Sequence, residues 1–252
     1  MMLKCSYYHI SIPKIGNCFE ENEDNLLIPS KSDIENESVI KFAISDGATE
    51  SSFAKEWSDL LVCCYKDKPF DLDNLNSTIQ TISEMWYSRI STIELPWYAQ
   101  EKVVQGAFAA FLGLTINFIE NTFEAISIGD CNLFQIRENK LFCSFPLSNP
   151  EEFGNTPALF ASNMKYQTNL EETVKYLQGN IKQKDIFILS TDSLAVWLLK
   201  EMQNNRKPWK RLFNLLRENK KKEDVFTKWI RGKVEKRIIR NDDISVIIVE
   251  IN

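Results

Sequence analysis

The chain has 252 residues, with 30 Lys and Arg against 35 Asp and Glu, a formal charge of −5, and one histidine, His9. A single imidazole excludes a zinc site built on two or three histidines, and any Ser-His-Asp or Cys-His nucleophile would have to run through His9. The acidic balance supplies no global field for nucleic acid or an anionic membrane, and 44% hydrophobic with 26% charged residues describes a globular chain long enough for one large α/β or α+β domain.

In chain order, Tyr7 to Ile12 and Asn25 to Pro29 read as strands flanking a polar loop that carries Glu20, Glu21, Glu23 and Asp24. Val39 to Ser45 is a buried strand running into Asp46-Gly47. The following Thr49/Ser51/Ser52 cluster offers caps for an amphipathic helix from Phe53 to Tyr65. Further helices are expected over Asn74 to Ile90 and from Pro96, a residue well suited to a first helical position. Phe108 to Phe118, Thr122 to Ile128, Asn132 to Arg137 and Lys140 to Ser144 read as an antiparallel meander of four strands. Residues 146–170, rich in Pro, Asn and Ser without period, are expected to form a variable loop or flap, with Phe153, Asn155 and Asn163 as candidates for substrate selection. A strand at Asp185 to Ser190, helices near Leu194 to Met202, Pro208 to Asn219 and Asp224 to Lys236, and a last strand Ile244 to Ile251 complete the chain. Strands in hairpins and helices in two blocks predict an α+β fold with helices segregated to the outer faces of antiparallel sheets.

The six cysteines contain no C-x-x-C pair and are expected to be reduced, mostly buried thiols of a cytoplasmic protein. The N-terminal segment lacks a continuous apolar core, so no signal peptide is expected. The longest apolar stretch, Val103 to Ile119, is broken by Gln105, Gly106, Thr115 and Asn117, so no membrane span is expected either. The basic C-terminal third, including Lys228, Arg231, Lys233, Lys236, Arg237 and Arg240, is interleaved with acidic residues and backed by Trp229, Ile230 and Val234. It reads as a solvated helix face rather than a nucleic-acid site.

Four aspartates stand where apolar strand runs stop: Asp46, Asp130, Asp192 and Asp242, the last followed by Asp243. A lone aspartate there is an ordinary turn or cap residue. Several at neighbouring strand ends would repel one another, and a hard cation is the usual remedy. Oxygen-only ligation favours Mg²⁺ or Mn²⁺ over zinc.

Taken together, Asn22-Glu23-Asp24, Ser45-Asp46-Gly47, Gly129-Asp130, Ser190-Thr191-Asp192 and Asn241-Asp242-Asp243-Ile244-Ser245-Val246 resemble, in order and spacing, the successive motifs of the PPM-type (type 2C) protein serine/threonine phosphatases. The text around Asp46 and Asp192 is similar to the compact bacterial branch. The resemblance spans nearly the whole chain and implies a single domain over residues 1–252, a four-layer α-β-β-α sandwich with two antiparallel sheets face to face. It implies a pair of Mg²⁺ or Mn²⁺ ions activating a water that attacks phosphoserine or phosphothreonine. Asp46 would bridge both ions, the Gly47 carbonyl would bind one, and Asp192 and Asp242 would complete the ligands of the second ion, with Glu23 joining directly or through water. Asp130 with Asp192 matches the place of a third ion, and Asp243 that of a supporting residue. The implied partner is a phosphorylated protein set against a serine/threonine kinase, with no nucleic acid or membrane and the enzyme a monomer.

Three positions depart from the pattern. Phe19 stands where the family carries an arginine that grips the substrate phosphate, which leaves Lys14 as the candidate substitute. Ala48 and Thr49 occupy the stretch where some members place a general-acid histidine. Ser193 replaces a glycine after Asp192. These departures leave a second reading open, a pseudophosphatase or phosphoprotein-binding module that keeps the fold with little or no turnover.

Overall fold

A computed structural model describes residues 3–93, 103–154, 156–217 and 222–252. Its elements run β1 (Cys5–Ile12), β2 (Asn25–Leu27), α1 (Lys31–Asn36), β3 (Val39–Gly47), α2 (Ala54–Asp67), α3 (Leu75–Ile90), β4 (Phe108–Asn117), β5 (Thr122–Ile128), β6 (Asn132–Arg137), β7 (Lys140–Phe145), β8 (Phe160–Ala161), the single turn α4 (Leu170–Thr173), β9 (Lys175–Asn180), β10 (Ile186–Ser190), α5 (Asp192–Gln203), α6 (Pro208–Arg217), α7 (Lys222–Glu235) and β11 (Ile244–Ile251).

The strands form two antiparallel sheets, ordered β1-β11-β10-β6-β7 and β2-β3-β4-β5-β9, with β8 pairing β4. Period-two alternation assigns each face. On β3, Ile40, Phe42 and Ile44 point into the space between the sheets, where they meet Phe187 and Leu189 of β10 and Ile247 and Val249 of β11. The opposite face of β3 and β4, with Ala43, Ala109 and Phe111, packs on Trp57, Leu61 and Tyr65 of α2 and Ile79 and Trp86 of α3. Ile188 of β10 and Val246 and Ile248 of β11 turn the other way, onto Leu198 of α5, Leu212 of α6 and Phe226 of α7. Three apolar layers between four layers of secondary structure give the expected α-β-β-α sandwich, each fully buried large side chain contributing about 1.5–3 kcal/mol.

Sequence and structure differ at several points. The four-stranded meander is two hairpins in different sheets, β4–β5 in one and β6–β7 in the other. The chain changes sheet at Gly129, whose φ of +90° only glycine adopts without strain. The Ser/Thr cluster does not cap α2: its N-cap is Phe53, in left-handed geometry and without a side-chain cap. The Ser51 hydroxyl is spent instead on the Ala48 carbonyl at 2.8 Å and the Phe108 amide at 3.1 Å. All six cysteines are free, but only Cys5 and Cys131 are buried, and Cys18 and Cys63 are exposed because they sit in a surface turn and on the outer side of α2. The helix expected from Pro96, and Asn155 in the flap, lie outside the described residues. Among the described residues no helix is long and apolar enough to cross a membrane.

Polar residues close the far end of the sandwich. Asp185, 1% exposed at the start of β10, accepts a bidentate pair from Arg137 (Nε to Oδ1 2.9 Å, Nη2 to Oδ2 2.6 Å). It also accepts from Gln135 Nε2 at 3.0 Å and from the Lys182 amide at 2.9 Å. Both carboxylate oxygens find donors, one on Oδ1 and three on Oδ2, the condition under which a buried ion pair is tolerated.

Candidate functional site

The opposite end of the same strands gathers carboxylates. Asp46 is the penultimate residue of β3, paired across the ladder with Ala110. Asp130 follows β5 at the sheet-changing turn, and Asp192 opens α5 directly after β10, where the helix N-terminus favours negative charge. Asp242 lies two residues before β11. The structure brings these four together: all line one cavity of about 720 Å³, with Gly47, Thr49, Gln105, Gly154 and Arg240 among its other walls.

Glu23 and Lys14 stand beside this cavity rather than in its lining. They line a neighbouring one of about 370 Å³, and Thr49 is common to both. The Lys14 ammonium donates to Thr49 Oγ1 at 3.3 Å. Phe19 is 53% exposed and does not line the acidic cavity. His9, on β1, lies outside it too.

The loop bearing Glu23 is held by Asp243, whose Oδ1 accepts from the Lys14 amide at 2.8 Å and Oδ2 from the Glu23 amide at 2.9 Å. Asn241 reinforces this by accepting from the Ile15 amide at 2.8 Å. Gly47 admits the same loop: a Cβ there would stand 2.9 Å from the Glu23 carbonyl oxygen and 3.0 Å from Ala54, both too close for a real side chain.

Electrostatically the cluster is under strain. Burial pushes the Asp130 carboxyl up from 3.8 to about 7, with Asp192 adding to the rise. Burial also raises Asp46, and Asp24, Asp192 and Asp130 push in the same direction. Asp192 is raised by burial and partly relieved by Arg240, and Glu23 is raised by burial against the opposing effects of Thr49 and Lys14. Carboxylates in this condition either take up protons or bind cations.

Two residues of the site carried no assigned role in the sequence. Asp24, 6% exposed, has neither carboxylate oxygen in a hydrogen bond among the described residues, the nearby Ser245 hydroxyl being committed to Ser11 Oγ at 2.7 Å. Its pKa is raised by burial first, against the lowering effect of the neighbouring Ser245 hydroxyl, with Asp243, Asp192 and Asp242 adding to the rise. Asp24 does not line the acidic cavity, but its charge presses on Asp46. Arg240 is the second. One nitrogen, Nη2, donates to Asp192 Oδ2 at 2.8 Å and also to Asp242 Oδ2. The sequence signal for Arg240 was its place two residues before Asp242, close enough along the chain for a long side chain to reach the carboxylate; that for Asp24 was its place inside the Asn22-Glu23-Asp24 motif.

The donor set fits Mg²⁺ or Mn²⁺: hard carboxylate oxygens, with five acidic residues (Asp46, Glu50, Asp130, Asp192, Asp242) lining the cavity against one guanidinium, and the buried Asp24 close enough to raise Asp46. Among the described residues no three such side chains converge on one point as they stand.

Two antiparallel sheets face to face with helices outside form the sandwich fold of the PPM-type phosphatases. No protein-family model and no curated protein matches the chain, but solved structures do. A bacterial serine phosphatase superposes with a TM-score of 0.62 at 14% identity, covering 99% of this chain and 97% of its own. The Mycobacterium tuberculosis serine/threonine phosphatase PstP/Ppp gives 0.61 at 14% identity, covering 98% of each chain. The PstP catalytic domain in complex with two manganese ions gives 0.58 at 13% identity, covering 99% of each. What this chain has in common with them at such identities is the fold.

Proposed function

We propose that the chain is a metal-dependent phosphatase acting on phosphoserine and phosphothreonine in proteins, as a single domain and a monomer. The observation that carries the reading is the convergence of Asp46, Asp130, Asp192 and Asp242, from four separated stretches of sequence, on one cavity with one cationic wall residue among those described. Asp46, Asp192, Asp242 and the Gly47 carbonyl would hold a pair of Mg²⁺ or Mn²⁺ ions with Glu23 beside them, and Asp130 with Asp192 would hold a third. Such ions lower the pKa of water toward neutrality and offset the charge of a phosphate dianion, which neutral-pH hydrolysis needs and an enzyme without a cavity histidine lacks.

The chain's own residues divide the remaining work. Asp243 and Asn241 fix the loop that presents Glu23, and the missing side chain of Gly47 lets that loop lie against the end of β3. The wall formed by Thr49, Gln105, Gly154 and Thr156 is polar and half open, suited to a phosphorylated side chain entering from a protein surface. The opposing enzyme would be a serine/threonine kinase. The free cysteines support a reducing, cytoplasmic setting.

A phosphoprotein-binding module without turnover is the second reading. Phe19, exposed and outside the cavity where a phosphate-gripping arginine would be expected, favours it. Hydrolysis of p-nitrophenyl phosphate decides between them. Turnover that appears with Mn²⁺ and is lost with EDTA supports the enzyme; absence of turnover together with absence of calorimetric Mn²⁺ binding refutes it.

A further inference from the structure

Arg240 is placed against the very oxygens that the proposed ions would use. Its Nη2 is shared between Asp192 Oδ2 and Asp242 Oδ2, and it is the sole Lys or Arg among the described residues lining the acidic cavity. It also lines an adjoining cavity of about 470 Å³ with Lys200, Arg237 and Asp192, so the side chain stands at the partition between the acidic cavity and one with more cations than carboxylates on its walls. With 60% of the side chain exposed, it is free to swing without disturbing a packed core.

Resting on the metal-dependent reading above, we propose that Arg240 is an internal counter-cation: a positioning residue that holds Asp192 and Asp242 in the metal-free protein and competes with the incoming ion for them. A guanidinium held between the two carboxylates puts its positive charge where the ion would sit, and like charges so close repel. Loading therefore requires the guanidinium to move, and the adjoining cavity is where the structure has room for it. A state that must be vacated before binding lowers the apparent affinity by the fraction of protein in the competent form.

The competing view, that Arg240 merely preorganises the ligands, predicts the opposite sign, and this makes the proposal testable by binding alone. Mn²⁺ affinity is measured by calorimetry on the wild type, Arg240→Gln and Arg240→Lys, with thermal unfolding in EDTA as the second readout. Loss of two half-exposed ion pairs should tighten Mn²⁺ binding about tenfold in Arg240→Gln, with Arg240→Lys between it and the wild type. The melting temperature in EDTA should fall for Arg240→Gln while its rise on adding Mn²⁺ grows. Equal or weaker Mn²⁺ binding by Arg240→Gln overturns the proposal, as does failure of all three proteins to bind; binding by Arg240→Gln alone supports it. Turnover plays no part in these outcomes. Competition without turnover would sink only the phosphatase reading, and turnover with unchanged Arg240→Gln affinity would sink only this one.

Discussion

Replacing Asp130 by Asn probes the electrostatic cost of gathering these carboxylates. Asp130 is 8% exposed, and its carboxyl is raised from 3.8 to about 7, by burial first and Asp192 second. A pKa higher in the folded than in the unfolded protein means that the folded form holds the proton more tightly. Its stability contribution is therefore complete at pH below about 4 and is lost as pH climbs to about 7. The size of the shift sets a ceiling of about 4 kcal/mol, and water entry and side-chain relaxation should reduce the observed effect to about 2 kcal/mol. An amide carries no charge at any of these pH values. In EDTA, urea denaturation should show Asp130→Asn more stable than the wild type by about that amount at pH 8, with the gap closing toward pH 4. A variant no more stable than wild type at pH 8, or a gap independent of pH, would refute the view that this end of the sandwich is held under charge repulsion.

Other outcomes follow from the same geometry. Asp192→Ala should lower Mn²⁺-dependent turnover of p-nitrophenyl phosphate at least about a hundredfold, whereas His9→Ala should leave it within about twofold; a general acid or base at His9 would instead cost about 10²–10⁴. Asp243→Asn converts one of two acceptors facing the Lys14 and Glu23 amides into a donor. This should cost about 2 kcal/mol and lower the melting temperature by about 5 °C, and an unchanged melt would show that the loop is held by something else. Gly47→Ala drives a Cβ toward the Glu23 carbonyl and Ala54. A loss of about 1–3 kcal/mol in chemical denaturation is expected, accompanied by weaker calorimetric Mn²⁺ binding; wild-type values in both would argue that the turn has slack.

Much of this architecture was legible in the sequence because it rests on local rules. Val39 to Gly47 and Ile244 to Ile251 alternate or run apolar without interruption, and helices such as Leu75–Ile90 carry an amphipathic period. The aspartates that line the cavity were visible as acidic stops at strand ends. What escaped was relational. Whether β5 continues to β6 within one sheet or crosses to the other depends on packing between faces that no window of sequence contains, and Gly129 was the sole local trace. Strand β9, Lys175–Asn180, is a half-polar edge strand, so its alternation never rises above that of a surface loop. Arg240 read as one basic residue among many near α7, because its partner Asp192 is 48 positions away.

Strand β10 carries a contrast between its two ends. At the start, Asp185 is enclosed by Arg137, Gln135 and a backbone amide, with its charge fully answered. At the finish, five residues on, the chain opens into aspartates whose strongest tether is one exposed guanidinium. The fold is thus anchored and frustrated at opposite poles of a single strand about 17 Å long. Local opening of the native state belongs to the pole that gathers the aspartates, while the other pole keeps the sheets in register. Substitutions that retune the mouth of the cavity are thereby insulated from those that determine whether the sandwich assembles, which gives such a scaffold latitude to change its cavity without losing its shape.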